Sequence, residues 1–314
     1  MIHTFYQIIR TARPRQWLKN FSLFAAPLFA GKLFYPKVYT SAIEAFVAFS
    51  VLSSAAYFFN DLIDAPKDRM HPIKKNRPIA SGKLPTHVAW GIVFVLAFGA
   101  LSYSYFFIGF YFTLALIIYA LVQVAYSLYL RDVIIIDSLV VASGFVLRVF
   151  AGGLASNTSI SSWLALTTIG ISLLMAFGKR RSEKTIVNRF FPSDEIQTRR
   201  TLRHYPDALL DTMISMSATY TIITYSLFTF QISPQLSAGK LMTALPSILK
   251  SPKWMMLTIP LVIYGVARYL YVIYEKNEGE SPERVLLSDA PLLVTVVLWA
   301  AFVLSVIYVL PLVG

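Results

Sequence analysis

Apolar stretches of membrane-span length recur from end to end of the 314-residue chain, and nothing else limits the fold as strongly. A helix of about 20 apolar residues crosses the hydrocarbon core of a bilayer. Inside lipid, only helices and closed barrels satisfy their own backbone. The stretches lie at roughly 21–38, 40–60, 88–107, 110–130, 133–152, 161–178, 208–230, 254–274 and 290–313. They predict an all-α, polytopic membrane protein of about nine transmembrane helices, forming one integral domain over 1–314. Charged residues are only 14% of the chain, against about 25% in soluble domains. That deficit excludes a disordered chain and argues against a soluble enzyme. The chain has no cysteine, so disulfides, thiolate metal sites and thiol catalysis are excluded.

The basic residues orient the spans. The net charge is +12. In a soluble protein that would point to nucleic acid; here it reads as loops facing anionic lipid or substrate, with no nucleic-acid partner. Of the Lys and Arg residues in loops, 21 fall on the side of the N-terminus and five on the other side. The positive-inside rule then predicts a plasma (inner) membrane protein with a cytoplasmic N-terminus and cytoplasmic loops at 61–87 and 179–207. The N-terminal segment MIHTFYQIIRTARPRQWLKN is basic and lacks the apolar core of a cleavable signal peptide. Polar chemistry gathers at one membrane face, which favours an enzyme with a cytoplasmic mouth. A transporter would concentrate it near mid-span.

The richest segment is FFNDLIDAPKDRMHPIKKNRPIASG, residues 58–82. Asn60 and Asp61 open it, and Asp64 and Asp68 follow at i+3 and i+7 from Asp61. On a helix the three carboxylates share one face. Their mutual repulsion calls for a cation. Mg²⁺ suits them, because it takes hard oxygen ligands and bridges to phosphate. Pro66 removes a helical bond and leaves the facing of Asp68 open. The plain alternative is a polar loop whose acids pair with Lys67, Arg69 and Lys74. A basic run follows (Arg69, His71, Lys74, Lys75, Arg77), suited to phosphate oxygens as well as to a positive-inside flank.

At these residues the chain resembles the UbiA-type intramembrane prenyltransferase superfamily. Residues 60–68, NDLIDAPKD, match its N-D-x-x-D-x-x-x-D motif at every position. DRMHPIKKNRPIASG at 68–82 and RPRQWLKN at 13–20 resemble one branch in particular, the polyprenyl-phosphate phosphoribosyltransferases. The second motif of the family is matched by Tyr126, Ser127, Leu130 and Asp137, with Arg131 where a Lys is usual. Asp132, five residues before Asp137, falls off its face and reads as a helix cap.

The resemblance implies helices around a central cavity and transfer of 5-phosphoribosyl from phosphoribosyl diphosphate to a polyprenyl phosphate such as decaprenyl phosphate. It implies Mg²⁺ held by Asp61, Asp64, Asp68 and Asp137, which are also the catalytic set. Substrate contacts fall to Asn60, His71, Lys74, Arg77, Tyr126 and Arg131. Lys19, Arg148, Lys179, Arg180 and Arg181 are candidates for either phosphate. Arg148 lies within a span, where an ionisable residue is functional by default, although pairing with Asp137 or Glu44 would also explain it. Lys179–Arg181 also fit a plain positive-inside cluster. Two other functions stay open: transfer of a prenyl group from prenyl diphosphate to an aromatic acceptor, and transport or lipid flipping. Membrane lipids are expected partners, and a homo-oligomer is left open.

Overall fold

The structure, a computed structural model, describes residues 2–70, 74–190, 205–232, 253–276 and 282–313. The described residues are helical, with no strand among them. Seven helices in them are long and apolar enough to cross a membrane by length and composition. The chain divides into two compact units, Met1–Ser159 and Ile160–Phe190 with Tyr205–Gly314.

The first unit opens with α1 (Ile2–Ala12), a 3-10 segment (Pro14–Phe24) and the short α2 (Ala25–Phe29). The expected span at 21–38 is therefore not a single helix, and the count of about nine is not reproduced exactly among the described residues. Hydropathy registers apolar side chains, not backbone geometry. Gly31 turns the chain with φ +69°, and Pro36 then starts a new helix.

That helix, α3 (Pro36–Met70), runs 35 residues and contains Pro66 without ending there. Small buried residues are distributed around much of its circumference: Ala42, Ala45, Ala48, Ser50, Ser53 and Ser54. They let neighbouring backbones approach closely, which drives association where lipid is as apolar as the protein. Helices α4 (Thr86–Tyr103), α5 (Phe110–Leu128) and α6 (Ile136–Ala155) complete the unit. One core cluster joins Ala45, Phe49 and Leu52 of α3 to Leu23, Phe112, Leu116, Tyr119 and Ala151. A second joins Phe58, Leu62 and Ala65 to Ile79, Leu84 and Ala89. Helix α4 turns Phe94, Val95 and Phe98 outward; in water that would be a liability, and in a bilayer it is the lipid-facing surface.

The 3-10 segment packs against α6 at Gly152. A Cβ there would lie 1.9 Å from the Leu23 carbonyl oxygen, so only glycine fits.

The second unit contains α7 (Ser162–Phe190), α8 (Asp207–Ile232), α9 (Ile259–Tyr271), α10 (Pro282–Ser288) and α11 (Ala290–Leu304). Helices α7 and α8 form a close pair. A Cβ on Gly170 would meet Thr221 and Tyr220 at 2.8 Å. Helix α8 is long but is not among the seven apolar spans; it buries Ser217, Thr221, Thr224 and Thr229. Arg268 of α9 grips Asp289 at 2.9 and 3.0 Å, and the same carboxylate caps α11 at the Leu292 amide.

Candidate active site

The last three turns of α3 carry Asn60, Asp61, Asp64 and Asp68. Because α3 stays helical through Pro66, the i, i+3, i+7 spacing puts the three carboxylates on one face. Asp61 and Asp68 are buried, and each carboxylate meets a guanidinium. Arg13 Nη2 donates to Asp61 Oδ1 at 2.6 Å. Arg77 Nη1 bridges two acids, at 3.2 Å from Asp61 Oδ1 and 2.7 Å from Asp68 Oδ2. Arg131 Nη1 donates to Asp64 Oδ1.

The three arginines come from three separate places. Arg13 sits between α1 and the 3-10 segment with φ +53°, an uncommon conformation for a side chain with a Cβ. Pro14 follows it, and a residue before proline is driven out of the right-handed helical region. The α1 helix therefore stops at Ala12, and the Arg13 guanidinium crosses the Tyr57 ring at 5.2 Å on its way to Asp61. Arg77 belongs to a loop pinned by buried Ile79 and Leu84 and tied to α3 by Arg69 Nε on the Ala80 carbonyl at 3.3 Å. Arg131 lies in the 3-10 turn Leu130–Asp132 joining α5 and α6, and it is buried.

Asp137 sits in the first turn of α6, fully buried, with Ser138 Oγ 3.3 Å from its Oδ1. A carboxylate there is favoured by the helix dipole. Asp132 does not cap α6: Ile135 holds that position without a side-chain cap. The backbone at Ile135 is left-handed, φ +69°, so the chain turns too sharply for Asp132 to reach the helix end.

The remaining expected residues fall as follows. Lys19 is half-buried on the 3-10 segment, and Asn60, Lys74 and Tyr126 are half-buried in the first unit. His71 lies outside the described residues. Arg148 is buried in mid-α6. Its partners are neither Asp137 nor Glu44 but Asn20, Tyr119 and the Gly144 carbonyl. Lys179, Arg180 and Arg181 belong to the second unit. There Arg180 Nη1 holds Glu183 at 2.6 Å, Lys179 approaches Glu183 at 3.7 Å, and Arg181 Nε holds Asp211 at 2.9 Å. Arg13 is the residue that the sequence reading passed over. It opens the RPRQWLKN segment, and the signal was Pro14 beside a cation ahead of an apolar run.

Among the described residues, no three His, Cys, Asp or Glu side chains converge closely enough to hold a metal ion in this arrangement. The donor chemistry nonetheless fits a hard divalent cation: three carboxylates share one helix face, and a fourth lies at the start of α6. The guanidinium contacts engage one oxygen of each of Asp61, Asp64 and Asp68.

Residues 21–289 match the model of the UbiA prenyltransferase family. The decaprenyl-phosphate phosphoribosyltransferase of Corynebacterium glutamicum is 32% identical over 309 residues, 97% of this chain and 87% of that protein. The enzyme of the same name from Mycolicibacterium smegmatis is 32% identical over 96% of this chain and 92% of its own length. The fold is shared with a UbiA homologue from Archaeoglobus fulgidus solved bound to GPP and Mg²⁺. That match has a TM-score of 0.65 at 17% identity and covers 96% of this chain and 99% of that one. By its sequence over nearly its whole length, this multi-pass membrane protein belongs to the UbiA prenyltransferase family.

Proposed function

We propose that this protein transfers a 5-phosphoribosyl group from phosphoribosyl diphosphate to a polyprenyl phosphate, releasing diphosphate. The observation that carries the reaction class is the carboxylate face of α3 matched by Arg13, Arg77 and Arg131. Alternating carboxylates and guanidiniums suit a diphosphate and its counter-ion. The choice of donor and acceptor follows the Corynebacterium and Mycolicibacterium relatives.

An oxygen of the lipid phosphate forms the new bond to C1 of the ribose. The bond from C1 to the diphosphate breaks, and its electron pair leaves with the diphosphate. The attacking phosphate is already ionised, so no side chain has to remove a proton. Asp61, Asp64, Asp68 and Asp137 are the residues that would hold Mg²⁺, which when bound would supply positive charge against the departing diphosphate. Arg131 and Arg77 are placed for phosphate oxygens in the preorganised way that stabilises developing charge. Lys74, Arg77 and His71 are assigned to the 5-phosphate of the sugar, Lys19 to the lipid phosphate, and Asn60 and Tyr126 to donor oxygens. The distribution of basic residues supports a site facing the cytoplasm from the plasma membrane.

The test is diphosphate release by purified protein in detergent with Mg²⁺. Release from phosphoribosyl diphosphate that requires added decaprenyl phosphate is the expected result. Release only from a prenyl diphosphate with an aromatic acid would overturn the proposal, and so would no release at all.

A further inference from the structure

The middle of α6 holds a charge that the proposed chemistry does not use. Arg148 is 5% exposed. Its Nε donates to Asn20 Oδ1 at 2.7 Å, its Nη1 to the Gly144 carbonyl at 2.6 Å and its Nη2 to the Tyr119 hydroxyl at 3.1 Å. The guanidinium lies 5.0 Å from the ring centres of Phe49 and Tyr119 and 5.7 Å from that of Phe145. Among the described residues no carboxylate forms an ion pair with it. Dipoles and aromatic faces carry the whole of its charge.

Two helices place this cage at the same depth. Ser50, which shares Asn20 with Arg148, lies 11 residues before Asp61 on α3. Arg148 lies 11 residues after Asp137 on α6. At about 1.5 Å per residue, each interval is about 16 Å along its helix. The guanidinium reaches back to the Gly144 carbonyl, seven residues or about 10 Å along α6 from Asp137, and its three nitrogens are already engaged there by Asn20, Gly144 and Tyr119. A buried cation in a span is costly, so its work is done through what it touches.

What it touches is the 3-10 segment. Arg148 holds Asn20, and Asn20 Nδ2 donates to Ser50 Oγ at 2.9 Å. Nearer the carboxylates, Trp17 Nε1 donates to Ser54 Oγ at 3.0 Å, and the single Ser54 hydroxyl proton is shared between the Ser50 carbonyl at 2.8 Å and the Ala12 carbonyl at 3.1 Å. The next residue is Arg13, on Asp61. The 3-10 backbone has poorer internal bonds than an α-helix and rises about 2 Å per residue. A slip of one residue would thus carry Arg13 out of hydrogen-bond reach of Asp61.

We propose that Arg148 is a positioning residue: through Asn20 it fixes the register of segment 14–24 and so presents Arg13 to the carboxylate face. The kinetic half of the test rests on the proposed reaction; the structural half does not. Because the chain has no cysteine, one spin-labelled cysteine at Leu18, which is exposed, reports on the segment alone.

In detergent, Arg148→Met should make that label more mobile, and Asn20→Ala should do the same while leaving the aromatic cage in place. The KM for phosphoribosyl diphosphate should rise about tenfold in either variant, with kcat changed by less than about threefold. The double variant should be no worse than the worse single one. Arg148→Lys, which keeps the charge and a donor for Asn20, should recover most of the loss. An unchanged label in Asn20→Ala would overturn the proposal even if Arg148→Met fails to fold. Multiplying effects in the double variant would overturn it too, since they would mean that Arg148 meets substrate directly. Mobile labels without phosphoribosyl transfer would support the latch and count against the proposed reaction alone.

Discussion

The carboxylate face of α3 and the basic turn of α7 use the same residue types with opposite burial. On α3 the acid is the interior group for Asp61 and Asp68, whereas Asp64, 15% exposed, is slightly more open than its partner Arg131 at 9%. The Asp61 side chain is 2% exposed against 29% for Arg13, and Asp68 is 7% against 26% for Arg77. On α7 the cation is the interior group in the pairs of Arg180 and Arg181, though not in that of Lys179, 31% exposed against 15% for Glu183. Arg180 is 2% exposed against 15% for Glu183, and Arg181 is 23% against 41% for Asp211. A buried carboxylate whose counter-ion reaches in from a wetter position can exchange that counter-ion for another cation or lend it to a phosphate. A buried cation surrounded by more exposed acids is already neutralised and has less to offer an anion. Burial order thus differs between the Asp61 and Asp68 pairs and the Arg180 and Arg181 pairs, although all four join the same residue types.

The largest effect expected on the carboxylate face is that of Asp64→Asn, at the one pair there whose cation is the more buried partner. Losing one carboxylate from the face, with its Arg131 partner left in place, should lower turnover by about 10³-fold. The variant should still elute as a folded protein in detergent, because an amide keeps the shape and can still accept a hydrogen bond. Near-normal diphosphate release in this variant would remove the α3 face from the chemistry. Arg77→Gln comes next. One nitrogen bridges Asp61 and Asp68, so its loss leaves two buried acids without their shared cation. A drop of about 10²-fold in kcat/KM for phosphoribosyl diphosphate is expected. On α7, Arg181→Gln should change kcat/KM by less than about threefold and lower Tm by about 2 °C, as partly exposed pairs contribute about 1 kcal/mol or less. If Arg181→Gln matched Arg77→Gln in kinetics, burial order would not be the distinguishing feature.

How legible each part was in the sequence follows from what the sequence encodes locally. Long apolar runs foretold α3 to α6, because a helix in lipid needs no partner outside its own stretch for its backbone bonds. The run at 21–38 misled for the same reason. It is apolar enough to span, but Gly31 and Pro36 break it, and a 3-10 stretch has the same hydropathy as an α-helix. The facing of Asp61, Asp64 and Asp68 was legible because it is a spacing within one helix. The cations they meet were only partly so. Arg13 lies 48 residues from Asp61, and no periodicity links such distant positions. Arg148 was expected to meet a substrate phosphate, with a buried carboxylate as the alternative partner, since burying a charge without either is costly. The aromatic rings that solve the problem come from α3, α5 and α6, and only tertiary structure brings them together.

The smallest effect in this comparison is a pH dependence on α8. The hydrogen bond from Lys184 to Asp207 holds that carboxyl below its usual value of 3.8, with the charges of Lys184 and Arg181 adding to it. A carboxylate depressed on folding contributes stability above its unfolded value and loses it as pH falls through the folded one. Wild type should therefore melt slightly above Asp207→Asn at pH 6, by about 1 °C, because the pair is largely solvated. The gap should close on acidification below the usual carboxylate range. Lys184 also donates to the Tyr205 carbonyl at 2.5 Å, a bond that does not titrate, so substituting the acid isolates the carboxylate where substituting the lysine would not. A gap unchanged at pH 3 would mean that Asp207 stabilises α8 by its place at the helix start rather than by its charge, and the likeness between this cluster and an ordinary surface network would fail.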